Sequence, residues 1–201
     1  MKLYYTPGAC SMAPHILLHE AGIEHASEIV DLAAKKTASG ADYWSINPKG
    51  AVPAIDLGKG EVLTENAAIL QYIGDQSGNP TLLAPVGDLA RYRVIEWLTY
   101  ISSEVHKSFS PLFNPALGAE AAQVARDTVA KKFDFVESQL GDRPYLTGNN
   151  LSIADPYLFV MTGWAGHTGI DLARWPKLVA FRERMLERPA VQTVLKAEGL
   201  V

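Results

Sequence analysis

The sequence is poor in features that mark several large classes of protein. Cys10 is its one cysteine in 201 residues, so no disulfide can form within the chain, and no cysteine and histidine spacing is typical of a zinc site. The net charge is −4, and no basic run could follow a phosphate backbone. No window approaches the roughly 18 apolar residues of a membrane span, and no signal-peptide core follows Met1. We therefore expect a cytoplasmic protein that uses no metal, nucleic acid or membrane.

The order of strand and helix patterns in residues 1–78 predicts a small α/β unit. A strand is predicted at 2–5, a helix at 11–20 and a second, parallel strand at 27–32. A loop with a short helix follows at 33–47, then a hairpin with strands at 54–57 and 61–63, and a helix at 67–75. A proline directly before the hairpin predicts a cis bond between Val52 and Pro53. The elements together predict a mixed sheet of four strands.

Residues 79–87 contain two prolines, and this composition predicts a linker. The pattern of residues 88–201 predicts helices joined by loops, with no strand. Ser152 and Asp155 predict a capping box at the start of a buried apolar helix that reaches Trp164. A long helix is predicted at 89–109, with one apolar face: Val94, Leu98, Ile101 and Val105. A polar stripe on the same helix predicts the wall of a cleft: Glu96, Thr99, Ser103, His106 and Ser110.

Cys10 stands where a turn meets the start of the first helix. Unpaired N–H groups and the positive end of the helix dipole favour a thiolate at such a position. Ala13 occupies the place of the second thiol of a Cys-x-x-Cys motif, so any disulfide chemistry needs an external thiol. The alternative is a cysteine that only packs.

Three further positions have both a functional and a structural interpretation. His106 lies on the polar stripe beside Lys107 and could act as an acid or a base, or could be purely structural. Glu65 and Asn66 begin a helix, where they could hold an anion and an ammonium group or simply cap the helix. Val52 could pair with an extended peptide through its backbone. The remaining histidines share no metal-ligand spacing and are interpreted as structural or surface residues: His15, His19, His25 and His167.

The chain resembles the bacterial beta-class glutathione S-transferases over nearly its whole length. The residues that carry the resemblance are Tyr5, Cys10-Ser11, Lys35, Val52-Pro53, Glu65-Asn66 and the run from Ser103 to Lys107. Residues 35–40 and 108–115 resemble the branch found in pathways that degrade aromatic and chlorinated aromatic compounds. The resemblance implies a thioredoxin-like N-terminal domain, an all-α C-terminal domain and a homodimer. It also implies a transferase that conjugates glutathione to small apolar electrophiles.

The resemblance implies roles for individual residues. Cys10 would form a mixed disulfide with glutathione, with Ser11, His106 and Lys107 near its sulfur, and Tyr5 matches a tyrosine that is catalytic in other classes. In the implied glutathione site, Val52 pairs with the cysteinyl backbone and Lys35 meets the glycine end. Glu65 and Asn66 hold the γ-glutamyl end. Residues of the partner subunit approach that end as well: Thr99, Ser103 and Glu104. Asn66 and Thr99 differ from the residues usual in the family but keep hydrogen-bonding capacity. The full implied binding set is Cys10, Lys35, Val52, Pro53, Glu65, Asn66, Thr99, Ser103, Glu104, Val105 and His106.

The acceptor pocket is expected to be walled by Phe109, Phe113 and Trp164. Two alternatives to conjugation stay open from the sequence. The first is a glutathione-dependent disulfide reductase or reductive dehalogenase, in which Cys10 itself attacks. The second is a non-catalytic protein that binds apolar ligands.

Overall fold

A mixed sheet occupies the N-terminal part of the protein, in a computed structural model that describes residues 1–201. The strand order is β3-β2-β1-β4-β5. β1 (Lys2–Tyr5) is parallel to β2 (Ala26–Asp31) and antiparallel to β4 (Ala54–Gly58), which forms a hairpin with β5 (Glu61–Thr64). β3 (Lys36–Thr37) pairs with β2 in the antiparallel direction. The parallel pair, the hairpin and the cis bond before Pro53 confirm the predictions.

The prediction of four strands is wrong, because β3 adds a fifth. It contributes only two register pairs, Val30 with Thr37 and Asp31 with Lys36. A two-residue strand in a polar segment has no measurable periodicity, so only the partner strand reveals it.

Helix α1 (Met12–Glu20) makes the crossover between β1 and β2. Every residue from Met12 to Leu18 is buried, as expected of a helix that is apolar on all sides. It packs against α2 (Asn66–Ser77) and against two helices from the second half of the chain, α6 (Asp155–His167) and α8 (Pro189–Ala197). One cluster of 42 buried side chains therefore runs through both halves.

The second half is helical throughout. Its other α-helices are α3 (Leu89–Tyr100), α4 (Lys107–Phe109), α5 (Gly118–Leu140) and α7 (Pro176–Leu186), with 3-10 turns at Ser110–Phe113, Pro115–Leu117 and Leu172–Arg174. Arg91 ties α3 to α2 through two hydrogen bonds to Asp75, of 2.7 and 2.9 Å. None of these helices combines the length and the apolar composition that crossing a membrane requires.

A π-helix at Ile101–His106 interrupts the predicted continuous helix. The apolar face is confirmed, since Val94, Leu98, Ile101 and Val105 are all buried. Thr99 and Ser103 are exposed, whereas His106 is half-buried and lines a cavity that Thr99 and Ser103 do not reach. The prediction of one polar stripe along a cleft is therefore wrong.

The capping box at the start of α6 is only half as predicted. The Asp155 carboxylate accepts from the Ser152 N–H and hydroxyl, both at 2.7 Å, and from the Leu146 N–H at 2.9 Å. The Ser152 hydroxyl, however, accepts from the Ala154 N–H, and the Asp155 N–H bonds the Ser152 carbonyl instead. The extra donor from Leu146 is a long-range contact that no local motif encodes.

Candidate functional site

Two adjoining cavities share a wall made by Cys10, Ala51 and Val52. The smaller cavity, of about 230 Å³, is lined mostly by polar residues and includes the start of α2 together with His106, Lys107 and other residues of both halves. The larger, of about 520 Å³, is mainly apolar and lies against Phe113 and Trp164. A thiol at the boundary of a polar and an apolar cavity can meet a polar thiol compound on one side and an apolar molecule on the other.

The Cys10 thiol donates to the Val52 carbonyl at 3.3 Å. Burial raises the pKa of the Cys10 thiol to about 12, although its own N–H, the Ser11 N–H and the Lys107 charge act in the opposite direction. The N–H groups at the helix start therefore act in the predicted direction, toward a thiolate, but burial has the larger effect. The cost of removing water from a charged thiolate is larger than the stabilisation that the few N–H groups at the junction provide.

The loop that carries Cys10 is held from several directions. The Ser11 hydroxyl accepts from the Thr6 N–H at 3.1 Å and donates to the Thr6 carbonyl at 3.3 Å. The Gly8 N–H donates to Glu198 at 2.8 Å, and the Gly8 carbonyl accepts from the Trp164 indole at 2.9 Å. Ser11 thus closes the loop with its hydroxyl and offers the sulfur only its backbone N–H.

His106 is paired with a tyrosine that the sequence did not single out. The Tyr157 hydroxyl lies 2.6 Å from His106 Nδ1. Burial, followed by the Lys107 charge, lowers the pKa of His106 to about 4, so the ring is neutral near pH 7. In the tautomer with the ring proton on Nε2, His106 Nδ1 accepts from the Tyr157 hydroxyl. That tautomer presents an N–H donor in the smaller cavity.

The start of α2 has groups that can bind an anion and groups that can bind a cation. Glu65 takes a positive φ of 69° and pairs with Lys49 Nζ at 2.6 Å. No side chain caps the helix, so the N–H groups of Asn66 and Ala67 remain available to an anion. The Asn66 amide donates to the Cys10 carbonyl at 2.9 Å, and Asn66 Oδ1 is a buried acceptor without a donor. An ammonium and a carboxylate on one ligand would match this set.

Val52 carries an unused backbone donor. Its carbonyl accepts the Cys10 thiol, and its N–H makes no hydrogen bond within the protein. Lys35 and the neighbouring Gly50 line the larger cavity, and Lys35 Nζ donates to the Gly50 carbonyl at 2.7 Å. Val52 and Lys35 therefore give an extended ligand a backbone partner and a cation along the same wall.

Two of the three residues predicted to wall an acceptor pocket line the larger cavity. Phe113 and Trp164 line the larger cavity, and their rings meet edge to face with centroids 5.0 Å apart. The prediction is wrong for Phe109, which is fully buried and packs behind Trp164 at 5.6 Å. It lies on the apolar face of the long helix, where its side chain fills the core.

Several other predicted residues lie outside both cavities. Tyr5 is buried and stacks on His15 at 4.9 Å, and Val105 is part of the core. Thr99, Ser103 and Glu104 are exposed, and Glu104 pairs with Lys132 at 2.5 Å.

Sequence reasoning missed four polar side chains of the smaller cavity. They are Asn47, Lys49, Ser102 and Tyr157. Asn47 and Lys49 belong to a loop whose sequence is typical of turns in general, and Tyr157 is one residue of a buried helix. Ser102 stands beside the predicted site residue Ser103 in the chain, but only Ser102 lines the cavity.

Three of the histidines, in which the sequence showed no metal-ligand spacing, come together in the fold. They are His15, His19 and His25, and they lie away from both cavities. His15 and His19 are one helical turn apart on α1, and the chain reverses at Gly22, which has a φ of 63°, so that His25 returns to the same place.

Comparisons with known proteins agree with this architecture. Residues 8–76 match the model of the glutathione S-transferase N-terminal domain, and residues 100–189 match that of the C-terminal domain. Glutathione S-transferase GstA of Escherichia coli O157:H7 is 46% identical, with all of both chains covered. Glutathione S-transferase GST-4.5 of Xanthomonas campestris is 37% identical, also over all of both chains.

Two solved structures superpose closely on the chain. BphK, described as a bacterial GST in a ternary complex, has a TM-score of 0.96 and 51% identity, covering 99% of this chain and 100% of its own. A sphingomonad glutathione S-transferase complexed with glutathione has a TM-score of 0.96 and 47% identity, with both chains covered completely. The expected fold, a thioredoxin-like domain followed by an all-α domain, is thereby confirmed. The chain belongs to the bacterial glutathione S-transferases.

Proposed function

We propose that the smaller cavity holds glutathione so that its sulfur lies beside Cys10, at the opening into the larger, apolar cavity. The observation that carries this proposal is the shared wall of the two cavities at Cys10 and Val52. The thiol of one substrate and the electrophilic carbon of the other would meet there with no further movement of either half. Proximity of this kind accounts for much of the rate of a bimolecular reaction.

The γ-glutamyl end of glutathione would lie at the start of α2. Its carboxylate would take the free N–H groups of Asn66 and Ala67, and its ammonium would meet Glu65 and the orphaned Asn66 Oδ1. Val52 would donate its N–H to the cysteinyl backbone, and Lys35 would face the glycine carboxylate. We retain Thr99, Ser103 and Glu104 as contributions from the partner subunit of a homodimer, because they are exposed on one face of α3 and the π-helix.

His106 would stabilise the glutathione thiolate by donating from Nε2. Lys107 would add a positive charge at the cavity wall. The thiolate then attacks an electrophilic carbon, a C–S bond forms, and the leaving group departs with its bond electrons while solvent takes the thiol proton. The raised pKa of Cys10 favours glutathione, and not Cys10, as the attacking sulfur in conjugation.

Cys10 would hold glutathione as a mixed disulfide under oxidising conditions. Its thiol exchanges with oxidised glutathione, so that one Cys10–glutathione disulfide forms and one reduced glutathione leaves. Because Cys10 is the one cysteine of the chain, any such adduct must lie there. Wild-type protein treated with oxidised glutathione should gain the mass of one glutathione, and Cys10→Ala should gain none. An unmodified wild type would refute the mixed disulfide.

Conjugation is tested by steady-state kinetics with a model chloroaromatic. We expect His106→Ala to lower kcat by about 10 to 100-fold, since a single lost donor to a developing anion costs that much or more. His106→Asn restores a hydrogen-bonding side chain and should recover part of the rate. Unchanged kcat in both variants would remove His106 from the catalytic residues. The matched control His167→Ala changes an exposed histidine outside both cavities and should leave kcat unaltered.

Reductive dehalogenation is a second candidate, favoured by the position of Cys10 on the wall of the apolar cavity. One C–Cl bond would be replaced by C–H while two glutathione thiols become one disulfide and HCl leaves. Cys10→Ala separates the two reactions, because dehalogenation through Cys10 would be abolished while conjugation persists. We place the acceptors among aromatic and chlorinated aromatic compounds, and a panel of chlorinated aromatic acids measures that preference.

The apolar lining at Phe113 and Trp164 supports aromatic acceptors. We assign residues 1–78 to the glutathione-binding domain, 79–87 to the linker and 88–201 to the helical domain. We also place the enzyme in the cytoplasm, where glutathione is kept reduced. Cell fractionation and the mass of the native assembly test the location and the homodimer.

A further inference from the structure

Three imidazoles meet on the side of the fold where α1 ends. One ligand atom from each of His15, His19 and His25 lies within 4.8 Å of the other two. The ring centroids of His15 and His19 are 5.6 Å apart, those of His15 and His25 are 5.8 Å apart, and those of His19 and His25 are 5.1 Å apart. The three rings thus enclose one point in space and do not form a row.

Two of the three rings are already oriented through their outer nitrogens. His15 Nδ1 lies 2.9 Å from the buried carboxylate of Glu198, and His25 Nδ1 lies 2.9 Å from the Ile23 carbonyl. Both rings therefore donate from Nδ1 and keep a lone pair on Nε2, which has no hydrogen-bond partner. Metal-bound histidines show this arrangement, with a carboxylate or a backbone carbonyl fixing the outer N–H.

The cluster is accessible to a solvent ion. His19 is exposed, His25 is half-buried, and both line a surface cavity of about 680 Å³. The His19 ring makes no hydrogen bond within the protein, so it can turn without breaking one. Burial lowers the pKa of both His19 and His25, and a neutral imidazole is the form that binds metal.

We propose that His15, His19 and His25 form a binding site for one divalent transition metal ion that prefers imidazole, with Zn²⁺ as the ion, and with water in the fourth position. Imidazole suits zinc and its neighbours better than it suits calcium or magnesium. Nitrogen-to-zinc bonds of about 2.0–2.1 Å place tetrahedral ligands about 3.4 Å apart. The free His19 ring and the half-buried His25 ring supply the contraction from 4.8 Å, while His15 is held by Glu198.

The site is connected to the loop before Cys10. One carboxylate oxygen of Glu198 lies 2.9 Å from His15 Nδ1, and the other accepts from the Gly8 N–H at 2.8 Å. A bound ion would fix His15 in the Nδ1–H form that donates to this carboxylate. The proposal does not depend on glutathione chemistry, because none of the three histidines lines the cavities at Cys10.

Titration of untagged protein with Zn²⁺ in a calorimeter tests the site, with Co²⁺ absorption as a second readout of coordination. Wild type should bind one equivalent, and His19→Gln and His25→Gln should each weaken binding at least tenfold. Glu198→Gln should weaken it by about 10 to 100-fold, as loss of an outer partner does at other metal sites. Circular dichroism confirms that each variant is folded.

Two controls keep the result specific. His167→Gln removes a histidine outside the cluster and should bind Zn²⁺ like wild type. Cys10→Ser should also bind like wild type, with the same Co²⁺ spectrum. The absence of saturable binding, equal affinity in wild type, His19→Gln and His25→Gln, or loss of binding only in Cys10→Ser would each overturn the proposal.

Discussion

Acid should destabilise the fold through His106. The pKa of this ring is about 4 in the folded protein, lowered from 6.5 by burial and by Lys107. The unfolded chain therefore takes up the proton first, so the stability contributed by neutral His106 is complete above pH 6.5 and falls as the pH approaches 4. From pH 7.5 to pH 5 the loss from this group is about 2 kcal/mol, since the unfolded ring is almost fully protonated at pH 5 and the folded one hardly at all.

Comparison with His106→Asn isolates this contribution. The asparagine keeps an acceptor for the Tyr157 hydroxyl but does not titrate. Asp155 acts in the opposite direction, because burial raises its pKa to about 6, but its effect is common to both proteins and cancels in the difference. Urea unfolding at pH 7.5 and pH 5 should show that wild type loses about 2 kcal/mol more than His106→Asn.

Tyr157→Phe provides an independent check on the cause. Burial and the Lys107 charge lower the pKa of His106, so removing the hydroxyl that lies 2.6 Å from Nδ1 should leave this pKa well below 6.5. An NMR titration of the His106 ring measures this directly. Equal pH dependence of unfolding in wild type and His106→Asn, within about 0.5 kcal/mol, would refute the argument.

Substitutions at four further positions test three separate parts of the fold by urea unfolding. Asp155→Ala leaves two buried N–H groups without an acceptor and should lower the free energy of unfolding by about 4 kcal/mol. Ser152→Ala should lower it by only about 1 kcal/mol. Equal losses in the two variants would contradict the larger role that we give to Asp155. Glu65→Gly relieves the positive φ of 69° and should raise stability by about 1 kcal/mol relative to Glu65→Ala. Both Glu65 variants should raise the KM for glutathione, and an unchanged KM removes the carboxylate from the ammonium site. Arg91→Ala breaks the fork to Asp75 and should cost about 2 kcal/mol, with Arg91→Lys intermediate; an Arg91→Lys variant as stable as wild type would exclude a role for the fork.

The local order of the elements followed from the sequence because each depends on neighbouring residues. Periodicity located four of the five strands and most helices. Asp88 caps α3 by accepting from the Ala90 N–H at 2.9 Å. Chain reversals were also local, as the glycines at 22 and 78 take positive φ where the preceding helices end. Val52, Glu65 and His106 were already candidates from the sequence, and the family resemblance gave them roles in a glutathione site. All three line the smaller cavity.

Tertiary packing decided what the local pattern leaves open. The pKa of Cys10 depends on how completely the surrounding residues exclude water, and that burial reversed the effect of the helix start. The orientation of His106 depends on the π-helix and on Tyr157, which is 51 positions away along the chain. Phe109 and Trp164 are equally apolar in sequence, but only their placement separates a core residue from a cavity wall.

The histidines show the same division most clearly. The spacing of His15 and His19 is one helical turn, so the sequence fixes that pair on one face of α1. The arrival of His25 depends on the turn at Gly22, and the orientation of His15 depends on Glu198, 183 positions away. Sequence determines the periodic faces because they arise within a few residues, whereas a site assembled from distant side chains exists only after the two halves have packed together.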